Sequence, residues 1–188
     1  MNAPLGLKLD KRAFLQWVQR QERRCELKDG EVIVHPGVSR AHYRLVGRFV
    51  VAFSNRLDPD VWNVGPTDFA VEIGPDIRYP DVLVERVHPD GAALYTDAPI
   101  VLVEVLSSSS VGTDMVEKLA EYTSLPSLEA YIVASQDEPI CWVWQRGGVD
   151  RSYPNKPEEI AGRDQAIEIA ALGISLSMSE IFRGIGAV

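Results

Sequence analysis

A chain of 188 residues, 46% hydrophobic and 24% charged, has the length and balance of one globular domain with a real core. Its 19 basic against 27 acidic residues leave a net charge of −8, which argues against a protein that coats nucleic acid non-specifically but leaves room for an acidic metal pocket or a local basic surface. No apolar run approaches the ~20 residues of a membrane helix, Pro4, Gly6 and Lys8 break any signal-peptide core, and two cysteines make no disulfide framework, so a reducing, cytoplasmic setting is expected.

The periodicity predicts a helix over Asp10–Arg23, with Asp10 as N-cap and Phe14, Trp17 and Val18 on one face. Cys25–Leu27 and Val32–Val34 then read as a hairpin joined through Lys28-Asp29-Gly30. A second helix is expected over about Ser39–Leu57, its apolar stripe being Leu45, Val46, Phe49, Phe53 and Leu57. Short strands follow at Val61–Val64 and Phe69–Ile73, separated by Gly65-Pro66. Longer ones follow at Asp81–Val87 and Ile100–Leu106, each introduced by a proline where the missing N–H is tolerated. A third helix is expected at about Met115–Ser124 with Asp114 as cap, then strands at Glu129–Val133, Ile140–Trp144 and Ala166–Ala170, and a short helix near Ser179–Phe182. This order implies an α/β (α+β) domain spanning 1–188, with a central mixed sheet flanked by helices.

Chemistry concentrates in the middle. Ile100–Leu106 is apolar except for Glu104, and a lone carboxylate in a strand buried on both faces needs a cation. If the Asp81 strand is its antiparallel neighbour, Asp81 and Glu104 come together, and a divalent cation is the usual remedy for their repulsion. Lys118 sits at the edge of the inward face of the third helix, between Met115 and Tyr122, and needs an anionic partner. Two carboxylates, a metal and an ammonium suit phosphoryl chemistry: the metal polarises phosphate and acidifies a bound water, and the lysine stabilises charge on phosphate oxygens.

These residues also carry a resemblance. Tyr79-Pro80-Asp81-Val82-Leu83-Val84, Val101-Leu102-Val103-Glu104-Val105-Leu106-Ser107, Asp114-x3-Lys118-x3-Tyr122 and Leu128-Glu129-Ala130-Tyr131 resemble the Uma-two family of restriction endonucleases, within the PD-(D/E)XK nuclease superfamily. The likeness extends upstream to Cys25–Val32 and Ser39-x2-His42, and downstream to Leu172-Gly173-Ile174. It implies a restriction-endonuclease-like fold and a magnesium- or manganese-dependent endonuclease that hydrolyses DNA by attack of a metal-bound water, leaving a 5′-phosphate and a 3′-hydroxyl. By the same resemblance Asp81, Glu104 and the Val105 carbonyl ligate the metal, Lys118 is the catalytic lysine, and Glu26 is the upstream acid. Leu106 stands where the wider superfamily has its lysine, which the family supplies from the next helix, here Lys118. The chain departs from the family pattern in two places: Ser107–Ser110 replaces a Ser-Pro-Ser run, and Ala134 and Ser135 stand where an Asp is frequent.

Plainer readings exist for each feature. Glu104 and Lys118 also make sense as a structural ion pair, and Glu26 as a surface residue. Ser107–Ser110 has no nucleophile-elbow pattern and reads as a turn; Asp114 and Tyr122 read as a cap and a core aromatic. Arg40, Arg44 and Arg48 share one helix face, either as a phosphate-tracking stripe or, more commonly, as a solvated face. Trp142 and Trp144 read as packing or interface residues, and with the sheet edges they suggest a homodimer. His35, His42 and His88 lack zinc-ligand spacing. The alternative to an enzyme is a catalytically inactive nuclease-fold binding or assembly module, which the acidic charge favours slightly.

Overall fold

The computed structural model describes residues 8–66, 68–106 and 113–185, with the backbone alone for 113–117. The Ser107–Ser110 run and the Asp114 side chain lie outside the described residues. Helix α1 (Lys11–Val18) is capped by Asp10, whose carboxylate accepts from the Ala13 N–H at 2.8 Å. It is shorter than the periodicity implied. Strands β1 (Cys25–Lys28) and β2 (Glu31–Val34) pair antiparallel through a tight turn. Asp29 and Gly30 both have positive φ there, 51° and 78°, as a type I′ hairpin turn requires.

Helix α2 (Arg40–Ser54) is capped by Ser39 and buries Leu45, Val46, Phe49, Ala52 and Phe53. Each large side chain of that stripe contributes roughly 1.5–3 kcal/mol of transfer free energy. Strands β3 (Trp62–Pro66), β4 (Ala70–Ile73), β5 (Asp76–Arg78), β6 (Val82–Arg86), β7 (Tyr95–Thr96) and β8 (Pro99–Leu106) follow. Gly65 and Pro66, expected between strands, belong to β3, where an edge position tolerates the proline. Helix α3 (Thr113–Thr123) begins one residue before its expected cap. Strands β9 (Ala130–Ser135), β10 (Ile140–Gln145), β11 (Glu158–Ala161), β12 (Ala166–Ile169) and β13 (Ile174–Ser177) and helix α4 (Met178–Ile181) complete the order.

The strands divide into a six-stranded mixed sheet, β11-β10-β9-β8-β6-β3, a five-stranded sheet, β2-β1-β5-β4-β7, and the β12-β13 hairpin. β8 lies inside the larger sheet, antiparallel to β6 and parallel to β9. Its alternation sorts side chains by period two. Val101, Val103 and Val105 pack with Leu45 and Phe49 of α2, whereas Leu102 and Leu106 pack with Tyr122 of α3, Tyr131 and Trp144. Glu104 therefore belongs to the α3 face. The β10 strand that carries Trp142 is internal, between β9 and β11, so it offers no free edge for pairing with a second copy. Trp144 is buried and stacks on Tyr131, while Trp142 donates to Glu159 at 3.1 Å. No helix among the described residues is long and apolar enough to cross a membrane.

Candidate active site

The pairing of β6 with β8 brings two distant carboxylates together. Val82 faces Val103, and the same register carried one residue further sets Asp81 opposite Glu104 on one face of the sheet. Both are almost wholly buried. They open into a cleft of about 480 Å³ that is also lined by Glu26, Val105 and Lys118.

Lys118 reaches this centre from α3. Its Nζ donates to Glu104 Oε1 at 2.9 Å and lies 3.9 Å from Glu26 Oε1. The Tyr122 hydroxyl, one turn later on the same helix face, donates to the same Glu104 oxygen at 2.9 Å. The two hydrogen bonds described at Glu104 thus both fall on Oε1. Burial and the neighbouring Asp81 outweigh the pull of Lys118 and Arg24, and the Glu104 carboxyl is pushed above its ordinary range. Burial opposes charge on Lys118, but Glu104 and Glu26 hold the ammonium on, above its usual value.

Asp81 is held differently. Its Oδ2 accepts the Val105 N–H at 2.8 Å, and its Oδ1 accepts from Arg24 Nη1 at 2.9 Å, with His42 Nε2 3.2 Å away. Burial alone would raise this carboxyl; His42, Arg24 and the Val105 N–H together hold it below the usual range. Glu26 is wholly buried and packed among cations. Arg78 donates to its Oε2 at 3.1 Å, His35 Nε2 lies 3.0 Å from the same oxygen, and the Tyr79 N–H donates to Oε1. Against the cost of burial, His35, Lys118 and Arg24 hold its carboxyl far below the ordinary value. Arg78 continues to Glu121 of α3 with two bonds of 2.8 Å, a fork that clamps α3 to β1 and β5. Both histidine contacts are close approaches of an imidazole nitrogen to a buried carboxylate.

The structure thus brings Asp81, Glu104, Lys118 and Glu26 into one centre, with Val105 beside it. Glu26 is a buried member of the cluster, not a surface residue. Sequence reasoning missed Arg24, His35, His42 and Arg78, and treated Tyr122 only as core. His35 and His42 stand apart in the sequence, yet the end of β2 and the first turn of α2 deliver both to the carboxylates. His42 was part of the Ser39-x2-His42 signal, which marks a capped helix start; nothing local marks Arg24 or Arg78. Arg40 and Arg44 are exposed, but Arg48 is half-buried and donates to the Glu180 carbonyl at 3.1 Å, so it leaves the stripe to tie α2 to α4.

Whether these residues suit a divalent cation is a question of donor chemistry. Among the described residues no three His, Cys, Asp or Glu side chains form a cage for a metal ion. Magnesium needs none: it takes one or two carboxylates and completes its shell with water and substrate phosphate. Two buried hard-oxygen carboxylates on one face, opening into a cleft, fit that pattern.

The family model described as "Putative restriction endonuclease", Uma2, matches residues 12–179. Two uncharacterized proteins of Synechocystis sp. are similar: slr1290, 27% identical over 95% of this chain and 93% of its own length, and sll1609, 27% identical over 64% and 73%. A crystal structure described as "a putative nuclease belonging to DUF820", from Anabaena variabilis, superposes with a TM-score of 0.75 at 16% identity, covering 93% of this chain and 98% of that one.

Proposed function

The chain belongs to the Uma2 restriction-endonuclease family, and from that premise we propose that it is a divalent-metal-dependent endonuclease acting on DNA phosphodiesters. The observation that carries this reading is the convergence of Asp81 and Glu104 with Lys118 on one face of a central strand pair. In this reading Asp81, Glu104 and the Val105 carbonyl hold magnesium or manganese, which when bound supplies Lewis-acid activation of water and phosphate. The Val105 N–H and Arg24 fix Asp81, and Tyr122 and Lys118 fix Glu104. The Lys118 ammonium offsets charge that develops on the phosphate oxygens as water attacks phosphorus. The P–O3′ bond breaks, and one proton of the water is lost while the 3′ oxygen gains one, leaving a 5′-phosphate and a 3′-hydroxyl. Glu26 serves from behind: it lies 3.9 Å from Lys118 and draws on Arg78, so it positions the lysine. We take residues 1–188 as one such domain in the cytoplasm, acting as a homodimer.

The test is cleavage of duplex, branched and single-stranded DNA with magnesium, manganese or chelator. Metal-dependent nicking that disappears in Glu104→Gln supports the reading; no cleavage of any substrate with either metal overturns it. A second reading, an inactive nuclease-fold assembly module, is favoured by the net charge of −8 and by the cations already paired to both carboxylates. It expects no cleavage and no metal response.

A further inference from the structure

The cleft at the acidic centre does not end at Asp81. A larger groove of about 880 Å³ adjoins it: Arg24, His35, Pro36, Gly37, Val38 and His42 line both, and Tyr43, Val46, Gly47 and Val50 of α2 line the groove.

Three features decide what fits there. The first is charge. Arg23 and Arg44 on the wall are offset by Glu22 and Asp68, and Arg24 is committed to Asp81, so the wall is close to neutral. A polyanionic backbone gains little from such a wall; an uncharged planar group gains apolar contact. The second is Tyr43, 72% exposed although it directly follows His42, whose ring lies 3.2 Å from Asp81. An exposed aromatic ring beside a phosphodiester centre is a stacking platform for a base. The third is Gly47, one turn beyond Tyr43 on the same helix face. Glycine inside a helix weakens it relative to alanine. A Cβ at Gly47 would meet no atom within 4 Å, so internal packing does not call for it. What the glycine does is keep the groove wall flat next to the Tyr43 ring.

We propose that this groove holds the unpaired nucleobase adjoining the reacting phosphodiester, which makes single-stranded or frayed DNA the substrate class of the site. The inference rests on the nuclease reading, because adjacency to the acidic centre is what makes the occupant of the groove the covalent neighbour of the phosphate. In an intact duplex the faces of that base are stacked and its edge is paired, and only an unpaired base is free to enter.

The experiment is fluorescence anisotropy in chelator, which prevents cleavage, with a labelled single-stranded oligonucleotide and a blunt duplex of the same sequence. The single strand is expected to bind more tightly. Tyr43→Ala should weaken single-strand binding by about 5- to 140-fold, the contribution of one stacked base, and leave duplex binding nearly unchanged. Tyr43→Trp should restore it. Gly47→Leu should hold or raise the melting temperature, since leucine is the better helix former, yet lose single-strand affinity by filling the groove. Tighter duplex binding, no binding at all, or Tyr43→Ala and Gly47→Leu proteins that bind like the parent would overturn the inference. A metal-dependent cleavage assay on both DNAs keeps the two readings apart. Single-strand cleavage untouched by Gly47→Leu sinks the groove alone. Tyr43-dependent binding with no cleavage of any DNA supports the groove and sinks the nuclease.

Discussion

Replacing Glu104 with glutamine separates a metal site from a structural ion pair by the sign of a stability change. The substitution keeps the shape and an acceptor oxygen, so the Tyr122 hydroxyl and the Lys118 ammonium, both 2.9 Å from Oε1, retain a partner. Glu26, 3.9 Å from Lys118, still supplies a counter-charge. What is removed is a charge buried beside Asp81, and the raised Glu104 carboxyl says that burial and repulsion outweigh the attraction of Lys118 and Arg24. Urea unfolding in chelator at neutral pH should therefore put Glu104→Gln within about 1 kcal/mol of the parent, or above it. Glu104→Ala, which strands both donors, should lose about 1–3 kcal/mol for each. The pH dependence has a definite sign. Between the unfolded carboxyl value of about 4.3 and the higher folded one, the native state holds more protons, so this group erodes stability as pH rises. The advantage of Glu104→Gln should grow across that window and be flat below it. Magnesium at a hundred times its dissociation constant should stabilise the parent by about 2.7 kcal/mol and do nothing for Glu104→Gln. A loss of about 3–5 kcal/mol in chelator, with no metal response in the parent, would make Glu104 a structural partner of Lys118 and not a metal ligand.

Lys118→Met should abolish cleavage while costing about 1–3 kcal/mol in chelator melts, because a raised Glu104 carboxyl can take up a proton in place of its lost partner. Arg78→Ala should cost about 3–5 kcal/mol by denaturant unfolding, since it removes the buried guanidinium bonded to Glu26 and unclamps Glu121 of α3. Glu26 is held well below its ordinary value, so its stabilisation is present above about pH 4.3 and fades as pH falls towards the folded value; acid titration of Glu26→Gln should show a flatter acid limb than the parent. Arg40→Glu should weaken DNA binding and lower the salt slope by roughly one phosphate contact, whereas Arg48→Glu should show first as a lower melting temperature, because Arg48 ties α2 to Glu180.

Much of this architecture is written locally. The Asp29-Gly30 turn, the Ser39 cap, the α2 stripe and the apolar β8 run with its single glutamate each depend on neighbours within a few residues, and periodicity exposes them. Asp81, Glu104 and Lys118 stood out for the same reason: a charge amid apolar residues is conspicuous along the chain. The resemblance added Glu26, which no local pattern distinguishes. The short strands β5, β7, β11 and β13 were not legible, because their two to four residues lack a turn signal or apolar run of the kind that marked β1 and β2, and they exist by pairing with partners already in place. The cations around the carboxylates belong to the same class. Arg24 and Asp81 are 57 residues apart and Arg78 and Glu26 are 52 apart, and each arginine sits in an ordinary polar or strand-end context. Only the antiparallel pairing of β1 with β5 closes those distances, as that of β6 with β8 closes the one between Asp81 and Glu104. The tertiary structure therefore decided how the acids are balanced, because electrostatic pairing in a buried cleft acts through space, whereas sequence patterns report only what lies along the chain.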